Sequence, residues 1–108
     1  MKAAKVDANQ QDVVSWFRGL GATVHTLHSV GGGFPDLAIG YRGIDVLVEV
    51  KAPKGKLTKV QKDWHRDWRG GAQIVTTLED CERVLADINS LLKPPATQVQ
   101  IDHKGYMK

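Results

Sequence analysis

Gly33-Phe34-Pro35-Asp36-Leu37-Ala38-Ile39-Gly40-Tyr41-Arg42-Gly43-Ile44-Asp45-Val46-Leu47-Val48-Glu49-Val50-Lys51 reads as a hairpin that opens on one acid and closes on an acid and a base. Successive side chains of an extended strand alternate faces. Ile44, Val46, Val48 and Val50 therefore share an apolar face that must be buried, while Asp45, Leu47, Glu49 and Lys51 share the other. Glu49 and Lys51 project the same way, and the neighbouring strand delivers Asp36 beside them. Two carboxylates and an ammonium so placed can hold a divalent cation next to a phosphate.

Outward from this hairpin the chain divides into short, well-punctuated elements. Upstream, Val13, Val14, Trp16, Phe17 and Leu20 follow helical spacing, predicting a helix over Ala8–Leu20 with Asp7 as N-cap and Gly19 and Gly21 as its end. Thr23–Ser29 is β-branched and alternating, a first strand. Gly31-Gly32-Gly33 leads into Leu37–Tyr41, then a tight turn over Gly40–Gly43 and the strand Ile44–Lys51, which Pro53 cannot extend. Thr58 is placed to cap a helix over Lys59–Arg69, stopped by Gly70-Gly71. Ala72–Thr76 is a fourth strand, and a last helix starts at Thr77 or Glu79 and runs to about Leu92 before Pro94-Pro95. The first three strands form an antiparallel meander; the helix between the third and fourth acts as a crossover and makes that pair parallel. The expected fold is α/β, a mixed four-stranded sheet flanked by helices, with residues 1–92 as a single domain and 93–108 as a polar tail.

With 108 residues and 42% hydrophobic content the chain can bury a core without disulfides or structural metal. Its single cysteine, Cys81, excludes an internal disulfide framework and a CxxC zinc site, and fits a reducing compartment. His25, His28, His65 and His103 lack zinc spacing. No apolar run is long enough to span a membrane and no signal-peptide core is present, so the expected location is cytoplasmic. The net charge of +3 suits a polyanionic partner. No P-loop, dinucleotide fingerprint or Ser-His-Asp constellation competes with the acid–acid–Lys set.

Pro35-Asp36 followed by Glu49-Val50-Lys51 resembles the PD-(D/E)XK nuclease signature. Gly33-Phe34-Pro35-Asp36-Leu37, then Gly55-Lys56-Leu57-Thr58 with Gln61 and Trp64, further resembles the stand-alone virus-type replication-repair nuclease (VRR-NUC) domains of bacteriophages and bacteria. The resemblance spans roughly Asn9 to Leu85. It implies a restriction-endonuclease-like αβββαβ core and a Mg²⁺- or Mn²⁺-dependent endodeoxyribonuclease in a bacterial or phage-infected cell. Asp36, Glu49 and the Val50 carbonyl would be metal ligands and Lys51 the catalytic cation. Asp12, standing where family members often carry Glu, would act through water or on a second metal. Gln61, a polar amide within the apolar stripe of Leu57, Val60, Trp64 and Trp68, would orient the attacking water or a ligand; a core amide bonded to backbone is the alternative.

Lys51, Lys54 and Lys56 are the expected phosphate contacts, with Gly32 and Gly33 letting backbone approach the DNA. The stripe of Lys59, Lys62, Arg66 and Arg69, interleaved with Asp63 and Asp67, reads instead as a salt-bridged solvated face, and Trp64 and Trp68 as core. Stand-alone members of this type are similar to homodimeric Holliday-junction resolvases, which implies a role on branched DNA, as in repair. A duplex-nicking, restriction-like or flap-directed enzyme of the same fold, and a non-catalytic nucleic-acid-binding module, are the alternatives.

Overall fold

The computed structural model describes the backbone of residues 2–92 and the side chains of residues 9–92; the expectations for His103 and for the tail over 93–108 lie outside them. The elements are α1 (Lys2–Gly19), β1 (Thr23–Thr26), β2 (Leu37–Tyr41), β3 (Ile44–Val50), α2 (Lys59–Asp67), β4 (Ala72–Val75) and α3 (Leu78–Leu92). The sheet runs in the order β1-β2-β3-β4. β1–β2 and β2–β3 are antiparallel, and β3–β4 is parallel. The mixed αβββαβ architecture expected from the sequence is the one observed.

Two boundaries differ from expectation by more than two residues. Helix α1 begins at Lys2, so Asp7 lies within it rather than at its N-cap; Ala and Lys are strong helix formers, and no glycine or proline interrupts the segment. Strand β1 stops at Thr26: one further bond in register joins the Leu27 N–H to the Asp36 carbonyl, and the Leu27 carbonyl then accepts from Val30 N, closing a turn. The alternation in the sequence continues through Ser29, but the turn carries those residues away from β2.

The β2–β3 turn is made by Arg42 and Gly43, both with positive φ (52° and 85°), the conformation that matches the twist of a two-residue hairpin. It fixes the pairing Leu37↔Val48 and Ile39↔Val46, so one face of the sheet presents Val24, Leu37, Ile39, Val46, Val48, Val50 and Val75. Against it pack Val13, Val14 and Phe17 of α1 with Cys81, Val84 and Ile88 of α3, forming one core. Helix α3 starts with a reciprocal cap: Asp80 N donates to Thr77 Oγ1 (3.1 Å), while Asp80 Oδ2 accepts from Thr76 N and Thr77 N.

The opposite face carries Thr23, His25, Ala38, Gly40, Asp45, Leu47, Glu49, Ala72 and Ile74. Helix α2 reaches only part of it and contains no buried residue. The expectation that Trp64 and Trp68 are core is therefore corrected. Trp64 is half-buried and Trp68 is 42% exposed; the two stack on each other and against Phe34 at the end of the glycine run. A helical stripe looks the same in sequence whether a sheet or a short loop covers it.

Candidate active site

Asp36 is positioned by a failure of strand pairing. Extending the β2–β3 register by two pairs sets Pro35 opposite Val50, and proline has no N–H to give the Val50 carbonyl. The Val50 N–H bonds instead to Asp36 Oδ2 at 2.8 Å. This bond turns Asp36 towards the last residues of β3, where Glu49 lies on the open face. On the other side of β3, Lys51 N donates to the Val75 carbonyl, so the site sits where the antiparallel and parallel parts of the sheet meet.

Glu49 is only 1% exposed, the one charged residue among the buried ones described. Its Oε2 accepts from Gln61 Nε2 at 3.2 Å and lies 3.7 Å from Lys51 Nζ, while Oε1 is buried with no hydrogen-bond partner. Burial, and secondarily the Asp36 carboxylate, push Glu49 up to about 8 from its ordinary value, with Lys51 opposing them. An unsatisfied buried carboxylate oxygen beside a second carboxylate is costly unless the pair shares a proton, as the raised pKa reflects, or a cation. Hard oxygen donors of this kind suit Mg²⁺ or Mn²⁺, so the residues present fit a divalent cation. Among the described residues no three His, Cys, Asp or Glu side chains gather into a cluster.

Gln61 accounts for the polar position in the apolar stripe. Thr58 Oγ1 accepts from Gln61 N, and Gln61 Oε1 accepts from Thr58 N at 2.9 Å, completing a capping box at the start of α2. The same Oε1 accepts from Lys51 Nζ at 2.8 Å, and the amide NH₂ donates to Glu49. One amide thus closes the helix and sets the spacing of the acid and the base. Gln61 bonds the backbone and the acid–base pair together.

The remaining expected residues distribute unevenly. Asp12 is exposed on α1. The α1 residue that reaches the site is Asn9, whose Nδ2 donates to the Lys51 carbonyl (3.0 Å) and the Thr76 carbonyl (3.4 Å), tying the ends of β3 and β4 together. Lys54 and Lys56 are exposed on the loop after β3. Gly33 (φ 80°) presses on α2: an added Cβ would lie 2.6 Å from the Val60 carbonyl oxygen, whereas Gly32 (φ 65°) faces open space. Lys59 and Arg66 pair with Asp63, and Arg66 also with Asp67, as the solvated-face reading expects.

His65 was not singled out as part of the site. It lies one turn after Gln61, with Nε2 buried and unpartnered, and its pKa is lowered by burial and then by the charge of Lys51.

The fold, with two acids and a lysine at the end of paired strands, places the chain among nucleases of the PD-(D/E)XK type. More narrowly, the fold is similar to that of a VRR-NUC domain: a solved structure described as a VRR_NUC domain superposes with a TM-score of 0.64 at 25% sequence identity, over 76% of this chain and 95% of that one. No family model matches the sequence. No curated protein matches it either. Among the described residues no helix is long and apolar enough to cross a membrane.

Proposed function

We propose that the protein is a divalent-metal-dependent DNA endonuclease acting on branched DNA, with four-way junctions as its preferred substrate and a homodimer as its working form. The observation that carries the reading is Glu49: a buried carboxylate with one orphaned oxygen, faced by Asp36 and held by Lys51 and Gln61. Asp36, Glu49 and the Val50 carbonyl would hold Mg²⁺ or Mn²⁺. When bound, the cation supplies a hydrolytic water at neutral pH and positive charge for the phosphoryl transition state.

The chain's own residues do the positioning. Gln61 fixes Glu49 Oε2 and leaves Oε1 free to coordinate. It also holds the Lys51 ammonium 3.7 Å from that carboxylate, where a scissile phosphate would meet a preorganised positive charge. Lys54 and Lys56 extend the cationic surface along the strand end for flanking phosphates, and the open backbone at Gly32 admits a close approach. The family resemblance implies 5′-phosphate and 3′-hydroxyl products. Pairing two small protomers about a two-fold axis gives two centres for the two strands of a junction.

The test is cleavage of a labelled four-way junction beside linear-duplex and flap counterparts, in Mg²⁺, Mn²⁺ or chelator, with wild type and Lys51→Ala. Metal-dependent, paired cuts in the junction that vanish in the variant are expected. Equal cutting of every substrate would keep the site and discard the junction preference. Metal-independent DNA binding without cleavage would leave a binding module instead.

A further inference from the structure

The open face of the sheet holds a groove that the cleavage chemistry does not use. Its floor is Ala38, Gly40 and Leu47, its polar edge Thr23, His25 and Asp45, and its far wall Trp68; its volume is about 680 Å³. Leu47 precedes Glu49 by two residues on the same face, so the floor begins about 7 Å from the candidate cleavage centre. That is about the distance between successive nucleotides of an extended strand. We propose that this groove receives an unpaired nucleobase of the DNA strand being cut, stacked against Trp68. The proposal rests on the DNA reading given above.

Three features favour a base over other occupants. Trp68 is held in place rather than loose: Trp64 stacks on it at 4.8 Å and 19°, Phe34 meets it edge-on at 5.8 Å, and Gly70 lies so close that an added Cβ would come within 2.8 Å of the indole Nε1. The indole still keeps 42% of its surface exposed, as a stacking wall requires.

In the floor, Ala38 and Gly40 leave room for a flat ring beside the apolar Leu47. Residues of this shape and a few convergent polar groups are the general anatomy of a small-ligand site. The third feature is charge. Asp45 is exposed and forms no ion pair among the described residues. A carboxylate there repels phosphate but accepts from the N–H groups of a base edge, so the base rather than the backbone belongs in the groove. Single-stranded or extrahelical nucleotides, the kind a branch point supplies, are therefore the substrate feature this face selects.

The experiment measures binding in chelator, where no cleavage occurs, using a fluorescent duplex with a one-nucleotide bulge. Its partner is the same duplex with an abasic residue in the bulge. Wild type should bind the base-bearing bulge at least about tenfold more tightly, with quenching of tryptophan emission. Trp68→Ala should abolish both the preference and the quenching, and Trp68→Tyr should keep most of the preference.

Equal affinity of wild type for the two bulges overturns the proposal without any variant. So does an equal loss on intact duplex in Trp68→Ala, or a change of sedimentation in that variant with the preference unchanged, which would make this face a contact between copies. Failure of the nuclease reading shows separately, as cleavage insensitive to Lys51→Ala. Absence of binding to every DNA would sink both.

Discussion

The two faces of β3 obey opposite rules. On one, Val48 and Val50 are buried against α1 and α3 beside neighbours of their own kind. On the other, Glu49 is as deeply buried, but its company is a second carboxylate, an ammonium and an amide, and one of its oxygens has no partner. The first face holds the fold together. The second is held in place by the fold at a cost, and polar groups kept unsatisfied in this way are what a catalytic or ligand site requires.

The contrast predicts separable effects. The largest is on the apolar face: Phe17→Ala, at a side chain 1% exposed, should lower unfolding free energy by about 3–5 kcal/mol in denaturant titration. An unchanged midpoint would mean α1 does not complete the core. On the polar face, Lys51→Ala should cut cleavage about 10²–10³-fold, roughly 3–4 kcal/mol of barrier, with the circular dichroism spectrum kept. Loss of the spectrum along with activity would merge the two faces into one structural unit.

The next effect sharpens the comparison through pH. Glu49 stands at about 8 when folded against 4.5 for the free group, so the folded chain binds the extra proton between those values. Without metal, stability conferred by this group is full below about 4.5 and is lost as pH rises through 8, by roughly 2–4 kcal/mol. Asp80 is shifted the other way by Thr76 N and Thr77 N, so its contribution is lost only as pH falls below the ordinary carboxylate range. His65, whose pKa is lowered, contributes with the opposite sign as pH falls through the ordinary imidazole range. Thermal melts from pH 5 to 8 therefore read Glu49 by comparison of wild type with a Glu49 variant. Glu49→Gln should flatten the profile, and Mg²⁺ or Mn²⁺ should raise the wild-type melting temperature at pH 8 but not that of the variant. A flat wild-type profile would remove the electrostatic case for the site.

The smallest effect lies far from both. Thr77→Ala removes the acceptor for Asp80 N and should cost about 1 kcal/mol with cleavage unaltered. A change in cleavage would reveal coupling between α3 and the site.

Much of this was legible in the chain. The alternation of Ile44–Val50 assigned the two faces, the Gly40–Gly43 stretch announced the turn, and Thr58 announced the start of α2. These are local signals, each set by bonds within a few residues. Asn9 was not legible as the α1 residue that reaches the ends of β3 and β4, nor Asp12 as exposed. A helix pattern names a face but not the rotation at which it docks. The exposure of Trp68 was hidden for a related reason, because α2 is too short to cover the open face.

Sequence alone therefore determined which side chains share a face, where strands turn and where helices start, since periodicity and capping act over one or two turns of chain. Tertiary structure alone decided that Glu49 is buried with an orphaned oxygen, that Gln61 bridges it to Lys51, and that Trp68 walls an open groove. Burial depends on what packs against a residue from distant parts of the chain, and no local pattern carries that information.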